Sequence, residues 1–231
     1  MKSSNFAVFI LLLAIQTTLS AQSFTEISNA QGLAWFGLDF TKAKMVGEFS
    51  GPITCSNGYM VTTMDGSGVS PELIRDNLFT GWNNVVLNEP DKYDLKKFLG
   101  NKIISNIVQP VMKLNALVNA DSIKIMGSYN CVPFSHEKLQ QIIDSYKPLI
   151  PQSSEGIGVT VIIEKFDRIT KTAIFDVVFF DIKSCKLIFT DQISGVPEGW
   201  ACGLRNYWAG SIYDLLKTIK GKKWSKWKKV I

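Results

Sequence analysis

Ile157-Gly158-Val159-Thr160-Val161-Ile162-Ile163-Glu164-Lys165-Phe166, Ala173-Ile174-Phe175-Asp176-Val177-Val178-Phe179-Phe180-Asp181-Ile182 and Lys186-Leu187-Ile188-Phe189-Thr190-Asp191-Gln192-Ile193 follow one another in the second half of the chain. Each run has strand length and is rich in β-branched and aromatic residues. Asp167-Arg168 and Lys183-Ser184 stand between them as turns. The three therefore read as an antiparallel meander. The middle run is nearly all apolar, so it is expected to be buried on both faces. A sheet buried on both faces needs helices to cover it.

Those helices are sought on either side. Downstream, residues 203–219 carry Leu204, Trp208, Ile212, Leu215, Leu216 and Ile219 at helical spacing, which predicts a long C-terminal helix. Upstream, residues 33–40 read as a strand, with Met45-Val46-Gly47 extending it or pairing beside it. Residues 51–68 form a loop crowded with Gly, Pro, Asn, Ser and Asp. Ser70-Pro71-Glu72 is a helix start, with Ser as N-cap and Pro at the first helical position. Leu73, Ile74, Leu78, Phe79 and Trp82 follow, and Asn83-Asn84 is read as the break. Val85-Val86-Leu87 then reads as a short buried strand. Pro90-Asp91 opens a helix with Tyr93, Leu95, Phe98 and Leu99, stopped by Gly100. Residues 103–118 read as two extended stretches around Pro110, placed at a sheet edge because proline cannot donate to a ladder. Residues 135–146 read as an amphipathic helix through Leu139, Ile142, Ile143 and Tyr146. The expected fold class is α+β, an α/β-type sandwich. It has a mixed sheet ending in an antiparallel meander, helices packed on the sheet and a long C-terminal helix.

The amino-terminal segment bears on compartment. Lys2 precedes an apolar run over residues 6–15, and Leu19-Ser20-Ala21 resembles a cleavage site with a small residue at its end. This is signal-peptide grammar, and the run is about half of the roughly 20 residues a membrane span needs. A signal peptide over residues 1–21 is expected, with the mature chain starting at Gln22 as a periplasmic or secreted soluble protein. Residues 22–220 read as a single globular domain, because no linker composition divides them. Cys55, Cys131, Cys185 and Cys202 are an even set in an exported chain, which permits disulfides. Their spacing selects no pairing, and buried free thiols and one disulfide both remain open.

Net charge is +5, and residues 217–231 hold seven lysines and no acid. Removing those seven leaves −2 for the rest, so no nucleic-acid partner is expected for the body.

Motifs exclude more chemistry than they offer. His136 is the only histidine, so multi-histidine metal sites are absent. Ser135-His136-Glu137-Lys138 has the S-x-x-K spacing of serine acyl enzymes, but its companion motifs are missing, and an N-cap serine explains it. There is no P-loop, and Gly156-Ile157-Gly158 opens a strand and lacks the third glycine of a dinucleotide fingerprint. Asp65-Gly66-Ser67-Gly68 lacks the oxygen series of a calcium loop. No catalytic residue, metal or cofactor is assigned. Asp176, inside an apolar strand, needs a partner, for which Arg168 or a lysine is expected. A role as catalytic acid is the other reading.

Two segments stand out. Residues 195–211 concentrate glycine, aromatic and polar residues, and Trp200, Arg205, Asn206, Tyr207 and Trp208 are a candidate ligand or partner surface. The competing reading is a helix start packed on the sheet, with Arg205 paired to an acid. Residues 221–231 form a basic tail in which Lys222, Lys223, Trp224, Lys226, Trp227, Lys228 and Lys229 have the make-up of an anionic-surface contact. The competing reading folds both tryptophans back onto the body.

Leu33-Ala34-Trp35-Phe36-Gly37-Leu38-Asp39-Phe40, with Gly203-Leu204-Arg205-Asn206-Tyr207-Trp208-Ala209-Gly210-Ser211, resembles an uncharacterised family of exported Gram-negative bacterial proteins. That resemblance implies no activity and no site residues. The order of elements up to Val177-Val178-Phe179-Phe180-Asp181-Ile182-Lys183 also resembles, more loosely, the periplasmic α/β domain of curli-assembly and penicillin-binding-protein-activator lipoproteins. Ser184-Cys185 stands where that family has a Thr-Gly turn, and the lipid-anchor cysteine is missing. The functional expectation is a non-enzymatic envelope protein binding another envelope protein, of unassigned oligomeric state. The alternatives are a hydrolase-like enzyme using Asp176 or Cys202, and a protein held to an anionic membrane or polymer by its Lys/Trp tail.

Overall fold

The computed structural model describes residues 24–49, 55–56, 59–60, 68–197 and 203–229. The expected signal segment 1–21 and the mature start at Gln22 lie outside the described residues, as do Trp200, Cys202 and most of the 51–68 loop.

The meander is the spine. β7 (Ile157–Asp167), β8 (Thr172–Asp181) and β9 (Leu187–Gly195) pair antiparallel along their full lengths. On its other edge β7 takes two strands in tandem, both parallel to it. β1 (Gly32–Asp39) lies along Gly158 to Ile162, and β2 (Lys44–Val46) along Lys165 to Asp167. β5 (Ile103–Asn106) and β6 (Lys124–Ile125) flank β1 and β2, again parallel. The result is one seven-stranded mixed sheet. A separate two-stranded pair, β3 (Cys55–Ser56) with β4 (Tyr59–Met60), lies within the 51–68 loop.

Period-2 alternation sends the two halves of each strand to two cores. Leu33, Trp35, Leu38, Val159, Val161, Phe175, Val177 and Phe179 face the larger one. It is covered by α1 (residues 24–29), the helical run α2 (Pro71–Leu73) to α3 (Thr80–Asn88), α4 (Leu95–Phe98) and α7 (Gly203–Thr218). Phe36, Ile162, Val178 and Phe180 face the smaller one, covered by α6 (His136–Asp144) and by Val111 of α5 (Gln109–Ala116).

Two sequence readings are corrected. Val85-Val86-Leu87 is not a strand: the helix from Pro71 continues through Asn83-Asn84 to Asn88, with a π-type stretch Ile74–Phe79 in between. Residues 103–118 are not extended throughout: β5 ends at Asn106, and Pro110 sits in the first turn of α5. A proline there gives up an N–H that has no intrahelical partner in any case. The helix start at Ser70 is as expected, its Oγ accepting from Leu73 N at 3.2 Å.

Candidate functional site

The residues marked out at the start of α7 separate into three groups. Trp208 belongs to the core, stacked on Phe166 with centroids 4.6 Å apart and on Phe49 at 5.7 Å. Its place in a surface is corrected: the turn of about 100° per helical residue carries it from Tyr207's half-exposed side to the inner face. Trp200 lies outside the described residues. Arg205, Asn206 and Tyr207 stay half-buried at the surface. Arg205 is positioned by its backbone, whose carbonyl accepts from Trp82 Nε1 at 2.9 Å. Among the described residues its guanidinium pairs with no acid; it donates to Asn206 Oδ1 at 3.3 Å. Arg205 and Asn206 line a polar recess of about 280 Å³ against Glu89, Lys92 and Tyr93.

Tyr207 points the other way, its ring 5.8 Å from the guanidinium carbon of Arg168 in the β7–β8 turn. Arg168 N donates to Val46 O at 2.9 Å, and Gly47 N donates to Ile125 O at 2.8 Å. These bonds draw the ends of β2, β6 and β7 together beside α7. At this same end Ile169 is 58% exposed, Met126 66% and Val196 56%. Sequence reasoning missed these three because each is a lone apolar residue in a turn or strand end, without periodicity.

The acidic residues of the meander are structural in their contacts. Asp181 Oδ1 accepts from Ser184 N at 2.7 Å and closes the turn. Asp191 Oδ2 accepts from Lys223 Nζ at 2.8 Å and Trp227 Nε1 at 2.7 Å. Asp176 is buried, and its neighbour is not Arg168 or a lysine but Glu164, also buried. Glu164 occupies the bulge in β7, where an extra residue re-aims a side chain. Its Oε1 accepts from Phe134 N at 3.0 Å and Gln192 Nε2 at 2.8 Å, and its Oε2 accepts from Cys131 Sγ at 2.9 Å. Among the described residues Asp176 Oδ2 has no donor facing it. Two carboxyl groups share such a space only when one keeps its proton. Burial, then Glu164, pushes the Asp176 carboxyl up to about 8. Burial and Glu164 push the Cys131 thiol up to about 12, so it is no thiolate nucleophile at neutral pH. The cluster holds the 131–134 segment onto the sheet. Glu164 was legible only through its register with Asp176, which depends on the bulge. Among the described residues, no group of acids, cysteines and histidine has metal-binding geometry.

A second buried acid, Asp39, ends β1. Tyr146 Oη donates to its Oδ2, and Thr41 N donates to its Oδ1 at 2.6 Å. Burial raises its pKa. Ser135 and Lys138 form a cap: Ser135 Oγ accepts from Lys138 N at 3.2 Å. Cys131 and Cys185 carry free thiols.

The tail is corrected in its aromatic half. Helix α7 continues through Ile219–Lys223 into α8 (Trp224–Trp227). Trp224 is 6% exposed and Trp227 3%, packed with Phe24, Phe179 and Phe189. Rings held there cannot sit at headgroup depth. Lys222, Lys226, Lys228 and Lys229 remain exposed, while Lys223 turns back to Asp191. Comparison with protein-family models, with curated proteins and with solved structures finds no match.

Proposed function

We propose that this chain is an exported, non-enzymatic envelope protein that binds another protein at the end of the sheet where α7 begins. The observation that carries the reading is the exposure of Ile169, Met126 and Val196 along the end of the sheet that holds the Arg168–Tyr207 contact. Exposed apolar anchors beside arginine and tyrosine are the make-up of protein interfaces. Export is supported by the signal-like run at residues 6–15 and by the resemblance to exported bacterial proteins. Among the described residues no helix is long and apolar enough to cross a membrane.

Photo-crosslinking in the producing cell tests the surface. A photoreactive residue at Ile169 or Tyr207 is expected to yield a discrete higher-mass adduct. The same residue at Val132, an exposed apolar position over the acid cluster, is expected to yield none. Adducts of equal strength at Val132, or none at Ile169 and Tyr207, would overturn the assignment.

A further inference from the structure

The carboxyl end of β1 opens into a cleft of about 450 Å³. Thr41 and Lys42 leave the strand directly into its wall, the end of α5 forms a second side, and α6 forms a third. Crevices at the carboxyl ends of parallel strands are where α/β sheets place small-molecule sites, and this volume lies within the usual range for one.

The wall has a definite chemistry. It contains two ammonium groups, Lys42 and Lys138, and no carboxylate. Neither lysine makes an ion pair among the described residues. The acid that Lys42 feels through space is Asp39, which lies buried beneath the cleft, already bonded to Tyr146 and Thr41. Burial pushes that carboxyl above the usual carboxylate range, and these two bonds engage both its oxygens. Beside the lysines, Leu114, Leu117 and Ile142 supply an apolar wall, and Leu117 stands 78% exposed at its rim. A bound cation would meet two ammonium groups and no carboxylate in the wall. A wholly apolar ligand would leave two ammonium groups to be desolvated without a partner.

We propose that the cleft binds a small amphiphilic anion, a carboxylate or phosphate monoester with an alkyl body. Lys42 and Lys138 take the head group, and Leu114, Leu117 and Ile142 take the chain. The site is separate from the proposed partner surface at the start of α7, and neither reading depends on the other.

Octanoate, octyl phosphate and octylammonium have the same alkyl chain and differ in head-group charge, so they make the test. Each is titrated below its micellar concentration into the methyl-labelled protein and followed by NMR. Octanoate, octyl phosphate or both are expected to shift the Leu114, Leu117 and Ile142 methyl signals saturably, and octylammonium is expected to leave them in place. The stronger of the two anions identifies the head group. Lys42→Gln with Lys138→Gln is expected to weaken anion binding by about tenfold or more, with the unfolding midpoint unchanged. Leu117→Ser weakens it without altering the preference for anions. Equal binding of octylammonium, equal binding by the double lysine variant, shifts centred outside the cleft, or no shift with either anion would each overturn the proposal.

Discussion

Asp176 and Glu164 show how one residue's partner decides the sign of a stability effect. A cationic partner, which the sequence led us to expect, would hold the Asp176 carboxyl low and make its loss destabilising at neutral pH. An acidic partner does the reverse. The Asp176 carboxyl titrates at about 8 in the fold against an ordinary 3.8. The folded chain therefore binds more protons than the unfolded one between those values. The stability tied to this proton is complete below pH 4 and is lost as pH rises through 8, by up to about 1.4 kcal/mol per pH unit. Asp39, also raised by burial, adds a loss of the same sign. Asn at position 176 imitates the protonated acid and still donates to Glu164. Urea unfolding from pH 5 to 8.5 is expected to show a falling free energy for the native protein and a shallower fall for Asp176→Asn. At pH 8 the variant should be the more stable protein by roughly 1–3 kcal/mol. Parallel curves would show that Asp176 does not carry the proton.

At the scale of elements, β1 is finished by side chains rather than by a strand. β5 stops pairing at Trp35, and the backbone bulges at Gly37, whose φ of +101° suits glycine. Beyond it Asn83 Oδ1 accepts from Leu38 N at 2.8 Å, and Asn83 Nδ2 donates to Leu38 O at 3.0 Å. Asn115 continues the edge, donating to Leu38 O at 2.8 Å and accepting from Phe40 N at 2.7 Å. Two buried amides thus imitate the missing neighbour strand. Asn83→Ala strands a buried N–H and is expected to cost about 2–3 kcal/mol in denaturant unfolding. An exposed asparagine, Asn84, replaced the same way should change little. This is also where local reading failed. Asn83-Asn84 has the composition of a helix break, and only the tertiary need for an amide beside Leu38 shows why a helix carries it. Val85-Val86-Leu87 is too short for periodicity to separate strand from helix. Pro110 fits an edge strand and a first helical turn equally well in sequence. The meander was legible because three long runs agree in length, composition and turns. Ser70-Pro71 and Ser135 were legible because capping is a local bond.

Across the whole molecule the two ends of the described residues are tied through the sheet. Phe24, the first described residue, packs on Trp224 at 5.4 Å and Trp227 at 5.3 Å, and all three meet Phe179 of β8. Gly100, after α4, lies so close to Trp224 that a Cβ there would fall 2.2 Å from its ring, at a φ of +72°. The lysines hid this in the sequence, because charge between two tryptophans reads as a surface. In the helix the residues between Trp224 and Trp227 point outward, and the rings share the inner face. Deleting residues 221–231 should therefore act as a core truncation. It removes two buried aromatic side chains, each worth about 3–5 kcal/mol when cut to alanine, and leaves Asp191 without its two donors. We expect the unfolding free energy to fall by at least about 4 kcal/mol, with weakened near-ultraviolet tryptophan dichroism. Gly100→Ala, which leaves the tail intact but drives a methyl into Trp224, should lose about 1–3 kcal/mol. Changing the exposed Lys222, Lys226, Lys228 and Lys229 to glutamine should lose almost nothing. A truncated protein that unfolds at the full-length midpoint would make residues 221–231 an appendage. Their tryptophans would then be free for a surface after all.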